Sequence, residues 1–207
     1  MSDQEIRSLK DLAAAEAACT RCPLYKNATQ VVPGDGLKRA RLMLVGEQPG
    51  DQEDKQGAAF VGPAGRLLDD ALEQAGIDRR EAYVTNVVKH FKWTGRGKRR
   101  IHAKPSWSEV AACLPWLDAE LEAVRPHVLV CLGATAAQAL LGRQFRVTRQ
   151  RGEWVESDLA ELVTATIHPS AILRRRDDDA RHAEMKAFVA DLRTVAAVLP
   201  APRSRLR

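Results

Sequence analysis

The chain has 207 residues, 45% hydrophobic and 29% charged, a composition that supports one packed domain and excludes general disorder. No run approaches the roughly 20 apolar residues a bilayer-spanning helix needs, and the N-terminus lacks the basic-then-apolar pattern of a secretory signal, so a cytoplasmic protein with no membrane partner is expected. The formal charge of +5 is local: from Ala82 to Ser108 there are seven bases (Lys89, Lys92, Arg96, Lys98, Arg99, Arg100, Lys104) and no acid, and without them the chain is slightly acidic.

The N-terminal segment, residues 1–40, carries Cys19-x-x-Cys22 ahead of Pro23. In a reducing compartment that pair points to metal or redox chemistry before disulfides. Leu42 to Val45 is a buried strand stopped by Gly46-Glu47-Gln48-Pro49-Gly50-Asp51. Glu47 just past a strand end can orient a nucleophile or a water, or it is a solvated turn acid. The glycine-rich loop from Gly57 to Gly65 holds one aromatic, Phe60, placed either to stack on a flat ring or to anchor the loop. Arg66 to Ala75 has a helical apolar stripe closed by Gly76.

Ala82 to Val88 is rich in β-formers and contains Asn86, whose amide offers donor and acceptor together. The basic stretch follows as a loop, residues 90–106. Within it His102 ends Lys98-Arg99-Arg100-Ile101-His102, where flanking cations are expected to keep the imidazole uncharged near neutrality. Ser106-x-x-Glu109 reads as a capping box opening a helix to about Ala123, with Cys113 on it and a kink expected at Pro115. Val128 to Leu132 is a third strand with Cys131 at its middle, followed by Gly133 and a helix over Ala134–Leu141. Leu162 to Ile167 is a fourth, ending at His168-Pro169-Ser170. A last helix covers about Asp179 to Val198, and residues 199–207 read as a frayed tail.

This alternation predicts an α/β fold, a three-layer sandwich with a central four-stranded parallel sheet. In such sheets ligands sit outside the carboxyl ends of the strands. Glu47 and Gln48, Asn86, and His168 with Ser170 all fall at such ends. A metal centre would take Cys19, Cys22 and Cys113, with Cys131 or a histidine such as His90 as a fourth ligand, and zinc and iron–sulfur chemistry both stand open.

Five motifs in order, Gly46-Glu-Gln-Pro-Gly50, Phe60-Val-Gly-Pro-Ala-Gly65, Val84-Thr-Asn-Val-Val-Lys89, Ala112-Cys-Leu-Pro-Trp116 and His168-Pro-Ser-Ala-Ile-Leu-Arg174, resemble the iron–sulfur uracil-DNA glycosylases of family 4 over roughly Cys19 to Arg174. Two positions depart from that family: Gln48 stands where it usually has alanine, and His90 where it usually has cysteine. With Lys98-Arg99-Arg100-Ile101-His102 these departures resemble the UdgX branch, whose members excise uracil and stay covalently bound to the abasic site through the histidine of that loop. The resemblance implies a 4Fe-4S cluster on Cys19, Cys22, His90 and Cys113, with Cys131 in the core. It implies a flipped uracil stacked on Phe60 and read by Asn86, with Gln48, Asp51 and Ser170 also at the substrate. His168 would stabilise the leaving uracil, Glu47 would activate the group attacking C1′, and His102 would be that group. Lys98, Arg99 and Arg100 would hold phosphates of uracil-containing DNA, preferably single-stranded, bound by a monomer. The alternatives are an enzyme that turns over with water as nucleophile, a non-catalytic DNA-binding protein with a structural metal centre, and a zinc-stabilised nucleotide-binding domain.

Overall fold

A computed structural model describes residues 8–97 and 99–199. Lys98 and residues 200–207 of the expected tail lie outside them. The central sheet is built from β1 (Leu42–Gly46), β2 (Ala82–Asn86), β5 (Val128–Leu132), β6 (Trp154–Val155) and β7 (Leu162–Thr166), in the order β2-β1-β5-β7-β6. The first four are parallel, with Leu42 beside Ala82 and Val128, and Val128 beside Leu162. The expected sheet of four is thus corrected to five: β6 pairs antiparallel with β7, placing Trp154 opposite Thr164. Two residues with a half-exposed tryptophan give no alternation to read.

β1, β2 and β5 are buried at every position, as strands covered on both faces must be. Their alternate side chains feed two separate cores. Met43, Val45, Leu129 and Cys131 pack with Leu117 and Leu121 of α4 (Trp107–Val124), beneath α1 (Leu9–Ala17). Leu42, Leu44 and Val130 pack with Leu68 and Leu72 of α3 (Pro63–Ala75) and Phe188 and Leu192 of α8 (Asp178–Val198). The capping box at Ser106 and Glu109 closes in both directions. α4 then runs unbroken through Pro115.

Two stretches beside the strand ends also form regular structure where the sequence suggests turn or loop. Asp51–Gln56 forms a short helix, α2, whose sequence DQEDKQ has no apolar stripe. The expected basic loop is a hairpin, β3 (Trp93–Arg96) and β4 (Arg99–His102), pairing Trp93 with His102 and turning at Gly97. Three shorter helices complete the order: α5 (Ala134–Leu141), α6 (Val147–Gln150) and α7 (Pro169–Leu173). Among the described residues no helix is long and apolar enough to cross a membrane.

Candidate active site

The carboxyl edge of the parallel strands opens into a cavity of about 820 Å³ lined by Glu47, Phe60, Asn86, His102, Thr135 and His168. Gly46, the last residue of β1, makes the convergence sterically feasible. A Cβ there would stand 2.8 Å from Phe60 Cζ and 3.4 Å from His168 Nε2, and would run into Asn86 Oδ1. Three segments distant in sequence therefore meet over one bare Cα. Phe60 itself has φ +56, a left-handed conformation costly for an aromatic. It is held there because Gly65, the third residue of α3, lets the Phe60 carbonyl approach where any Cβ would overlap it.

His168 caps α7. Its Nδ1 accepts from Ser170 N–H at 3.1 Å and lies 2.8 Å from Ser170 Oγ. Burial, then the charge of Arg174 and of His102, push its pKa down to about 4. The ring is neutral, with Nε2 facing Phe60 and Asn86.

On the other wall His102 Nε2 stands 3.4 Å from Glu47 Oε1. Glu47 Oε2 accepts from the hydroxyl of buried Thr135. The His102 pKa lies below the ordinary histidine value, chiefly through partial burial, with Glu47 opposing and Arg174 reinforcing. Among the described residues the cation acting on His102 is Arg174, from outside the basic run.

Three of the seven bases in the basic run are committed inward. Arg100, expected at a DNA phosphate, bonds Asp51 through Nε at 2.7 Å and Asp54 through Nη1 at 2.6 Å. Its guanidinium also lies over the rings of Phe91 and Trp93. Lys89 is buried, 2.5 Å from the buried carboxylate of Glu120, and Lys92 pairs with Glu109 at 2.8 Å. Arg99 and Lys104 remain exposed. Asp51, expected at the substrate, lines the cavity but is shared between Lys55 and Arg100, which together hold its pKa below the usual carboxylate range.

Gln48 also lines the cavity, yet its amide serves the hairpin. Oε1 accepts from Lys92 N–H at 3.1 Å, while Nε2 donates to Lys92 O at 3.2 Å and Ala103 O at 3.0 Å. The alanine usual in family 4 has no amide to make these bonds.

Sequence reading missed Thr135 and Asp54. Thr135 follows a strand end and was findable by the rule that found Glu47. Asp54 sits in a run of acids, where nothing local marks it.

The sulfurs form a separate locus. Cys19 Sγ accepts from Trp116 Nε1–H at 3.1 Å, and Cys113 Sγ from Lys89 N–H at 3.3 Å. Burial pushes the Cys113 thiol up to about 12, with Lys89 opposing and Cys22 and Cys19 adding to the rise. Those three cysteines are thus electrostatic neighbours, and N–H donors to sulfur suit metal-bound thiolates. Cys131 is fully buried in β5 and feels only desolvation. His90 is buried, its pKa lowered by desolvation, and the charged neighbour it feels is Asp54. Among the described residues no group of three or more His, Cys, Asp or Glu is arranged to hold a metal ion, so His90 and the sulfurs do not form a closed ligand set.

The sequence profile described as "Uracil DNA glycosylase superfamily" matches residues 33–193. The chain is 41% identical over 164 residues to the type-4 uracil-DNA glycosylase of Thermotoga maritima, covering 79% of this chain and 82% of that protein. It is 38% identical over 177 residues to the type-4 uracil-DNA glycosylase of Archaeoglobus fulgidus, covering 82% and 85%. Against the type-4 uracil-DNA glycosylase of Sulfurisphaera tokodaii it is 34% identical over 174 residues, covering 80% and 76%.

Proposed function

Since the chain belongs to the uracil-DNA glycosylase superfamily and, within it, to the type-4 enzymes, we propose that it releases uracil from DNA and that His102 then captures the sugar covalently. The target deoxyuridine leaves the stack and enters the cavity. Phe60 lies against its face and Asn86 reads its polar edge. The C1′–N1 bond breaks with its electron pair going to the base, and His168 Nε2–H donates to the developing anion at O2. The lone pair of the His102 ring forms the new bond to C1′. Glu47 balances the positive charge the ring acquires and takes its surplus proton. The product is an N-alkylated imidazole, which has no imine route back. Arg99 and Lys104 hold flanking phosphates, together with Lys98, and binding falls with salt. The protein acts as a monomer and prefers single strands.

A 4Fe-4S cluster belongs to the same reading, held by Cys19, Cys22 and Cys113 with His90 as fourth ligand. Cys19 and Cys22 in the N-terminal segment and Cys113 on α4 would hold it, and it would supply a structural tie between the two. The N–H groups directed at Cys19 and Cys113 support two of the three thiolates. His90 rests on the resemblance.

The observation that carries covalent capture is the imidazole of His102 held 3.4 Å from the Glu47 carboxylate at the cavity wall. The second reading keeps every residue but this one: Glu47, fixed by Thr135, activates a water and the enzyme turns over. Uracil-containing single-stranded DNA run on a denaturing gel separates them. A slow band that disappears in His102→Ala supports capture. Free uracil with no band leaves the turning-over enzyme. No uracil released refutes both.

A further inference from the structure

α7 carries a hydrogen-bond relay that the reaction above leaves unassigned. Arg174 Nη1 donates to Ser170 Oγ over 3.0 Å, and that oxygen lies 2.8 Å from His168 Nδ1. A guanidinium has five donors and no acceptor, so the Ser170 oxygen receives Arg174 and its hydroxyl hydrogen is left for Nδ1. Ser170 N–H points at the same nitrogen. With two donors directed at it Nδ1 carries no proton, and the ring proton is on Nε2, the atom facing Gly46 in the cavity.

We propose that Arg174 is a positioning residue which, through the Ser170 hydroxyl, locks His168 in the tautomer that presents Nε2–H to the leaving base. The identity of that base rests on the reading above; the relay itself does not. Arg174 is exposed, so solvent screens its charge, and the hydrogen bond is the stronger part of its action.

The electrostatics run the same way. The charged or titratable groups facing His168 are Arg174 from its own helix and His102 from β4, both disfavouring an imidazolium. Glu47, from the turn after β1, acts on His102, where it opposes Arg174. The neighbours from α5 and from the loop holding Phe60 are uncharged: Gly133, whose Cβ would stand 2.9 Å from His168 Cβ, and Phe60 itself, stacked at 6.1 Å between ring centroids.

The test is nitrogen-15 spectroscopy of the His168 ring in the full chain, free of DNA, for wild type, Arg174→Met, Ser170→Ala and Arg176→Met. Wild type should show a proton on Nε2 and none on Nδ1. Arg174→Met and Ser170→Ala should each mix the tautomers and raise the ring's titration midpoint. Arg176→Met removes the same charge from an exposed site two residues away and should leave the ring as in wild type. Single-turnover uracil release should fall several-fold in Arg174→Met at saturating DNA, separating the effect from weaker binding, and Arg174→Lys should restore part of it. An unchanged ring spectrum in Arg174→Met overturns the proposal, and so does an equal change in Arg176→Met. Failure of wild type to release uracil would instead overturn the uracil reading, since the ring spectra do not depend on it.

Discussion

The guanidinium of Arg100 lies 2.6 Å from the fully buried carboxylate of Asp54. That carboxylate also accepts from Thr29 N–H and its hydroxyl, while Arg100 reaches on to Asp51. Three parts of the chain are therefore tied together: the N-terminal segment, α2 and the hairpin bearing His102. The arginine that looks most like a phosphate contact sets where the hairpin stands.

Removing one partner of such a pair leaves the other uncompensated. Asp54→Ala is expected to cost about 3–5 kcal/mol of stability, read as a fall in Tm. Arg100→Gln, which spares the buried acid a little through its amide, should cost less. In both, covalent adduct should form at least about tenfold more slowly, equivalent to ~1.4 kcal/mol, while DNA affinity and its salt slope change little. A steep loss of affinity in Arg100→Gln would restore Arg100 to the phosphate-binding set.

Gln48→Ala removes three hydrogen bonds at the foot of the hairpin. Lys92 and Ala103 also bond each other through their backbones, N–H of Ala103 to O of Lys92 at 3.0 Å, so the hairpin should persist. The expected cost is about 1–3 kcal/mol, and the adduct fraction on a denaturing gel should drop more than total uracil release. Equal loss of both would place Gln48 at the base instead of at the hairpin.

What was readable and what was not divides along contact range. The strands LMLVG and VLVCL announce themselves by unbroken apolar runs that end in glycine, and the edge they form follows from topology alone. Glu47, Asn86 and His168 therefore share that edge on sequence grounds alone, and all three line the cavity. The hairpin was read as a loop because Trp93–Arg96 and Arg99–His102 carry basic residues and no apolar face. Its order comes from Gln48, Asp51 and Asp54, more than forty residues upstream. The sign of a charge run is local information, but its partners are not. Lys89 looks like Arg99 in sequence, yet one is buried on Glu120 and the other faces water.

Gly46→Ala tests the convergence itself. The added Cβ meets Asn86 Oδ1 and Phe60 Cζ, both in the base-binding wall. Uracil release should fall by at least about a hundredfold, ~2.7 kcal/mol, with Tm lowered by far less than Asp54→Ala lowers it. Retained release would mean the base does not sit against Gly46.

On the proposed cluster reading, Cys113→Ser should abolish iron, sulfide and visible absorbance together and loosen the N-terminal segment, seen as faster hydrogen exchange across residues 8–40. Cys131→Ser, deep in β5, should leave iron content unchanged and cost stability only, by placing a hydroxyl in a site that feels nothing but desolvation. Iron lost in the Cys131 variant would reverse the two assignments.

The pH dependence of capture follows from two depressed imidazoles. Attack needs His102 unprotonated, and burial holds its pKa below the ordinary histidine value of about 6.5. Adduct formation should therefore fall on acidification with a midpoint below about 6.5, one proton being taken up. His168, at about 4, remains neutral over that fall and adds a second drop only near its own midpoint. Replacing Glu47 by Gln removes the larger of the two influences that raise the His102 value, so the acid limb should move further down even as the maximal rate declines. Single-turnover rates of adduct formation across this range, in wild type and Glu47→Gln, measure both effects. A limb above neutrality in wild type would mean that Glu47 outweighs burial and holds His102 as the imidazolium, a form with no lone pair to give C1′.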